Sequence, residues 1–183
     1  MTFEDLYINY FRHQAENHPD LVHDAEQGEQ VFDVIDIEQG MLVGLRSGVR
    51  PDAFMMRLFH YTYRIGFIKG EMRKIIQGGF MLAKQFSVRE DDAAEYRLAL
   101  REAERVTDEI IEKMLADSQA GHPLFYYSLD RDQDITVITS PKASGTSYAA
   151  KICTFSFSQH WRNCIDSSEA PTWLDGGLTH HQL

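Results

Sequence analysis

The clearest periodicity in the chain lies between Ser87 and Gly121. There Tyr96, Ala99, Leu100, Ala103, Val106, Ile110, Ile111, Met114 and Leu115 recur every three or four residues, which places them on one stripe of a helix. Arg97, Arg101, Glu102, Glu104, Arg105, Asp108, Glu109, Glu112 and Lys113 fall outside that stripe. Ser87-Val88-Arg89-Glu90 reads as a capping box, and Asp91 and Asp92 add negative charge at the positive end of the helix. Gly121 followed by Pro123 supplies the stop. The pattern predicts a helix over about 88–119, and at ~1.5 Å per residue it spans on the order of 45 Å.

A shorter amphipathic helix is expected over Phe3 to Asn17, with Thr2 as its cap, Glu4 and Asp5 in its first turn, and Leu6, Tyr10, Phe11 and His13 along one side. His23 to Gln30 reads as an acidic loop, and Val31 to Ile37 has the β-branched composition of a strand. Gln39 to Arg50, with glycines at 40, 44 and 48, is a loop or a strand with bends, and Pro51-Asp52 opens a short helix. Leu58 to Phe67 predicts a strand. Glu71 to Phe86 returns to a helical period through Met72, Ile75, Ile76, Gly79, Leu82, Ala83 and Phe86, and is expected as a second helix packed antiparallel on the long one. Gly78-Gly79 inside it costs roughly 1 kcal/mol per glycine, which points to close backbone approach or a kink. Leu124 to Leu129, Ile135 to Thr139 and Ala149 to Ser158 predict three strands of a meander, with Cys153, Phe155 and Phe157 on the buried face of the last. Residues 161–183 lack periodicity and are read as an arm anchored by Trp161 and Trp173.

That order implies an α+β fold: an antiparallel or mixed sheet of about five strands with the helices packed on one face, in a single domain over residues 1–183. No apolar run approaches the ~18 residues of a membrane span, and the acidic start has no signal-peptide core. The two cysteines, Cys153 and Cys164, are too few for a disulfide framework and read as reduced thiols of a cytoplasmic protein. A net charge of −10 argues against nucleic-acid binding. The charge is also segregated. Residues 1–40 hold ten acidic groups against one basic, whereas residues 41–87 hold eight basic against two acidic. The two stretches neutralise each other within one subunit or meet head to tail between subunits.

The chemical motifs fail one by one. His13, Glu16, His18, His23 and Asp24 lie near one another, but no histidine pair has the four-residue spacing that aligns two ligands on a helix, and no metal site is assigned. Asp130, Asp132 and Asp134 begin like a calcium loop, yet Ile135 stands where that loop needs glycine and Pro141 where it needs glutamate. Pro141 to Ser147 lacks the glycine and lysine spacing of a phosphate loop and leads into a strand. Cys164 with His160 is a poor thiol and base pair, because such partners meet through the fold rather than as sequence neighbours. Neither a catalytic residue nor a cofactor is expected. Arg57, Tyr61, Tyr63 and Arg64 mix the aromatic and guanidinium groups enriched in binding surfaces. With Arg46, Arg50, Trp161 and Trp173 they form the candidate interface set.

In its element order, its acidic N-terminal helix from Phe3 to Asn17 and its late Phe155-Ser156-Phe157 strand, the chain resembles the small tail-completion or tail-terminator proteins of phage-derived tails. The resemblance implies an α+β protein that acts without catalysis as a homo-oligomeric ring, within a phage-like particle. The long helical segment and the extended tail depart from that pattern. The expected function is therefore structural assembly, as a homo-oligomer or with a protein partner. The alternative is a binding protein or enzyme with a pocket between sheet and helices, lined by Tyr61, Tyr63, Tyr126, Tyr127 and His60 or His122.

Overall fold

The computed structural model describes residues 2–21, 31–36, 54–86, 92–125, 128–129, 135–140 and 148–160. Helix α1 (Phe3–Asn17) is followed by strands β1 (Phe32–Ile35), β2 (Phe54–Phe59), β3 (Thr62–Ile68) and β4 (Glu71–Gln85). Helix α2 (Asp92–Gln119) then leads to β5 (Ile135–Thr139) and β6 (Tyr148–His160). The six strands form one mixed sheet in the order β1-β2-β4-β6-β5, with β3 also paired to β4. Among the described residues only the β1–β2 pairing is parallel. The fold is α+β, as the sequence implies.

Both helices lie on one face. From α1, Tyr7, Tyr10, Phe11 and Ala15 join Val106, Ile110 and Met114 of α2 in a core with Phe80 and Leu82 of β4 and Cys153, Phe155 and Phe157 of β6. Alternation along β4 and β6 explains the choice, since these residues share one side of the pleat. A smaller cluster on the opposite side holds Phe59, Met81, Ala83, Ala150 and Ile152. Helix α1 opens with a full capping box, in which Thr2 and Asp5 exchange hydrogen bonds at 2.9 and 3.1 Å. Its buried side is rotated from the expected one: Tyr7 faces the core and His13 faces solvent. Helix α2 ends in a Schellman motif, with Gly121 at φ 77° and the His122 amide bonded to the Asp117 carbonyl at 2.9 Å.

Three expectations are overturned. Leu58 to Phe67 is not one strand: β2 ends at Phe59 and β3 begins at Thr62. Glu71 to Phe86 is not a helix; Glu71–Gln85 is the 15-residue strand β4 at the centre of the sheet. Its stretch from Phe80 to Ala83 is buried on both faces, so the period-two alternation of a strand is erased and apolar residues fall by chance at helical spacing. Leu124 to Leu129 is not a strand where it is described. The Phe125 amide bonds to the His122 carbonyl in a turn that pushes Leu124 and Phe125 into the core. The capping box at Ser87, the glycine stretch at 39–50, the helix opening at Pro51, the loops at 130–134 and 141–147, and the arm at 161–183 lie outside the described residues.

Candidate functional site

The Gly78-Gly79 pair marks a break in register. β2 pairs with β4 up to Leu58 opposite Phe80, and β3 resumes with Thr62 opposite Gln77. Three residues, Phe59, His60 and Tyr61, therefore stand against two, Gly78 and Gly79. This is a β-bulge, which flips the alternation of β3 relative to β2. Tyr7 of α1 closes it. Its hydroxyl donates to the Phe59 carbonyl at 3.1 Å and accepts from the Gly79 amide at 3.3 Å, bridging strands that the bulge has parted. Burial pushes the Tyr7 phenol above its ordinary range, so it stays a neutral donor. Any side chain at 78 would force a neighbour to shift, because a Cβ there would lie 2.7 Å from the Tyr7 oxygen and 2.8 Å from the Phe155 ring.

On the sheet face away from the helices the bulge leaves a groove of about 350 Å³. Phe59 and the two glycines form its floor, and Thr62, Gln77, Thr154, Ser156 and His60 supply hydroxyl, amide and imidazole groups. His60 is exposed, with Asp36 3.9 Å away.

Beyond the bulge, β3 and β4 continue as a hairpin closed by Lys69 and Gly70, whose φ angles of 52° and 81° are those of a type I′ turn. Register places Tyr63, Ile65, Phe67, Met72, Lys74 and Ile76 on the helix-bearing face. The rings of α1 reach this face only as far as Phe3, which meets Tyr61 edge-on at 4.9 Å. Past it, Tyr63, Ile65, Phe67 and Met72 are exposed, Phe67 by 73%. Lys74 is buried at the boundary, its ammonium 4.0 Å from the Tyr63 ring centroid, 5.1 Å from Phe3 and 5.6 Å from Tyr61.

The structure unites part of the expected interface set. Tyr61 and Tyr63 meet around Lys74. Arg57 is elsewhere, in an ion pair with Asp33 and with its Nε 2.9 Å from the Met55 sulfur. Arg64 is exposed on the opposite face of the hairpin. Arg46, Arg50, Trp161 and Trp173 lie outside the described residues, as do Tyr126 and Tyr127. His122 packs on Tyr10 and Phe125, and burial lowers its pKa. The sequence missed one polar cluster, in which His18, Asp20 and Glu109 bring ligand atoms within 4.8 Å of one another. Arg105 bridges Asp20 at 2.8 Å and Glu109 at 2.7 Å. His18 and Asp20 lie just past the end of α1 and Glu109 lies on α2, so spacing within the N-terminal stretch could not reveal it. No described helix is long and apolar enough to cross a membrane. Neither family models nor curated proteins match this chain.

Proposed function

We propose that the chain is a non-enzymatic assembly protein that works through contacts between subunits, in the manner of a tail component of a phage-derived particle. The observation that carries this reading is the row Tyr63, Ile65, Phe67 and Met72, left exposed where the helix layer stops. Four large apolar side chains on one side of one hairpin are a surface that burial against another protein stabilises, at ~25 cal/mol per Å². The charge segregation of residues 1–87 gives such contacts a direction. Light scattering after size exclusion tests the reading. A mass that is a multiple of 21.1 kDa and falls as salt rises is expected; a 21.1 kDa particle at every salt and protein concentration overturns it.

The groove at the bulge supports a second reading, a site for a small neutral polar molecule held by Thr62, Gln77, Thr154 and Ser156. A fragment screen by nuclear magnetic resonance tests it through the amide shifts of those four residues.

A further inference from the structure

Among the described residues seven large apolar side chains stand exposed, and four of them, Tyr63, Ile65, Phe67 and Met72, form the one row on the β3–β4 hairpin. At the inner end of the row Lys74 is 8% exposed, and its ammonium faces the rings of Phe3, Tyr61 and Tyr63 with no carboxylate partner among the described residues. A buried ammonium held by rings alone is stabilised further by a carboxylate. The row therefore fits a segment that is apolar and carries acid groups. Charge directs such a segment to the hairpin. Residues 62–77 hold Arg64, Lys69, Arg73 and Lys74 against Glu71, a net of +3. Helix α1 holds three acidic groups against one basic and α2 eight against four, so both helices repel what the hairpin attracts.

Residues 161–183 have the matching chemistry. They hold Trp161, Ile165, Trp173, Leu174 and Leu178, with Asp166, Glu169 and Asp175 against Arg162, a net of −2. Both tryptophans of the chain lie in this stretch. Strand β6 brings the chain to His160, opposite Arg73 at the base of the row. It runs antiparallel to β4, toward the turn at Lys69 and Gly70, and so points out of its own sheet past the hairpin tip. The 23 residues that follow reach up to roughly 75 Å when extended, against about 23 Å for the seven residues of β3. To cover its own row the arm would have to turn back at the tip, whereas the row of a neighbour ahead of the tip needs no reversal.

We propose that residues 161–183 of one copy lie along Tyr63, Ile65, Phe67 and Met72 of a second copy, with a carboxylate of the arm at Lys74. The contact rests on the assembly reading and supplies the occupant of the row. Arm and hairpin are different surfaces, so each copy gives one arm and receives one. Two copies exchange arms, or the arms pass round a ring.

Because both tryptophans lie in the arm, tryptophan emission reads the arm alone. Phe67→Lys spoils the row at its most exposed position and keeps the arm. Trp161→Ser with Trp173→Ser spoils the arm, keeps the row and emits no tryptophan light. Each protein is expected to retain the circular dichroism of the wild type and to run at the single-chain mass of 21.1 kDa, the first with the emission of water-exposed indole. Adding the second protein to the first is expected to shift that emission to the blue and to give a dimer that neither forms alone, because one intact row then meets one intact arm. Ile65→Lys replaces Phe67→Lys if the latter loses the fold. A wild-type oligomer with water-exposed tryptophans, an oligomer that survives Phe67→Lys, or a mixture with unshifted emission overturns the arm contact and leaves the assembly reading standing. A wild type of 21.1 kDa at every concentration overturns both, including one whose tryptophans are shielded by its own row.

Discussion

The Tyr7 hydroxyl and the Gly79 amide, 3.3 Å apart, join helix α1 to the central strand at the one point where the sheet changes register. The contact links residues 72 positions apart in the chain. Tyr7 is also packed on Phe11 and Tyr61, each with ring centroids at 5.3 Å, so the helix cannot shift without opening the bulge. The groove on one face and the hairpin beyond it both take their position from this join.

Removing the hydroxyl alone tests its weight. Tyr7→Phe keeps the ring contacts but leaves the buried Gly79 N–H and the Phe59 carbonyl without this partner, at a cost of about 1–3 kcal/mol. Urea denaturation should show a lower midpoint at unchanged slope. A variant as stable as the wild type would mean that the two strands close directly without the tyrosine.

Gly78→Ala approaches the same join from the other side. The new methyl would sit 2.7 Å from the Tyr7 oxygen and 2.8 Å from the Phe155 ring, which Phe11 stacks against at 5.5 Å. Overpacking of this kind costs about 1–3 kcal/mol. Combined with Tyr7→Phe, the loss should be less than the sum, because one of the two clashes has gone. Full additivity in the double-mutant cycle would separate the two residues.

Alkaline pH should unfold the protein through its buried acids. Burial pushes Tyr7 up, burial and the hydrogen bond to Asp117 push Tyr10 up, and burial carries Cys153 from 9.0 to about 12. Each group deprotonates more readily in the unfolded chain than in the folded one. The stability they contribute is complete below their ordinary values and falls as pH rises, from about 9 for Cys153 and about 10 for the tyrosines. Absorbance at the phenolate band should show Tyr7 and Tyr10 silent until unfolding, and a thiol reagent should reach Cys153, located by peptide mass, only then. Simultaneous titration of all eight tyrosines in the native protein would refute the burial of Tyr7 and Tyr10.

Much of this fold is legible in the sequence, and what is not has physical causes. Helix α2 carries its period in full, with one buried and one wet face, and β6 carries its own over Cys153–Phe157, where exposed Thr154 and half-buried Ser156 alternate with buried Cys153, Phe155 and Phe157. β4 hides because it is wet on neither side over Phe80–Ala83 and has neighbours on both edges. The glycine pair inside it signals close approach, as the sequence argument holds: the Cys153 carbonyl lies nearest at Gly79, while at Gly78 the approaching groups are side chains, the Tyr7 hydroxyl and the Phe155 ring. Tyr61 and Tyr63 are recognisable as a surface pair; the lysine between them is not, since Lys74 lies eleven residues beyond Tyr63 and is brought back by the hairpin. Which strands end the sheet belongs to strand order, which no local pattern encodes.

The hairpin turn offers a substitution that should stabilise. Lys69 adopts φ 52°, a left-handed conformation that costs a lysine more than an asparagine or glycine. Lys69→Asn makes the preferred Asn-Gly pair with Gly70 and should add about 0.4–1 kcal/mol, read as a raised melting temperature. Gly70→Ala, at φ 81°, should do the opposite by about 1 kcal/mol even though nothing lies within 4 Å of the new methyl. A neutral outcome for both would mean that the hairpin is already open in the ensemble.

Helix α2 separates two ways of being held in place. Arg105 binds Asp20 and Glu109, and His18 binds Glu109 at 2.9 Å, a network joining α2 to the end of α1. Arg105 is 48% exposed and its carboxylate partners 37% and 42%, so water and salt screen every pair. Arg105→Ala should cost no more than about 1 kcal/mol, and less at high salt. Five residues on, Ile110 is 1% exposed within the core formed with β4 and β6. Ile110→Ala removes buried methyl groups from a packed site and should cost about 2–5 kcal/mol at any salt. Denaturation of the two variants at low and high salt therefore assigns the docking of α2. A loss at Arg105 equal to that at Ile110 would move it from packing to charge.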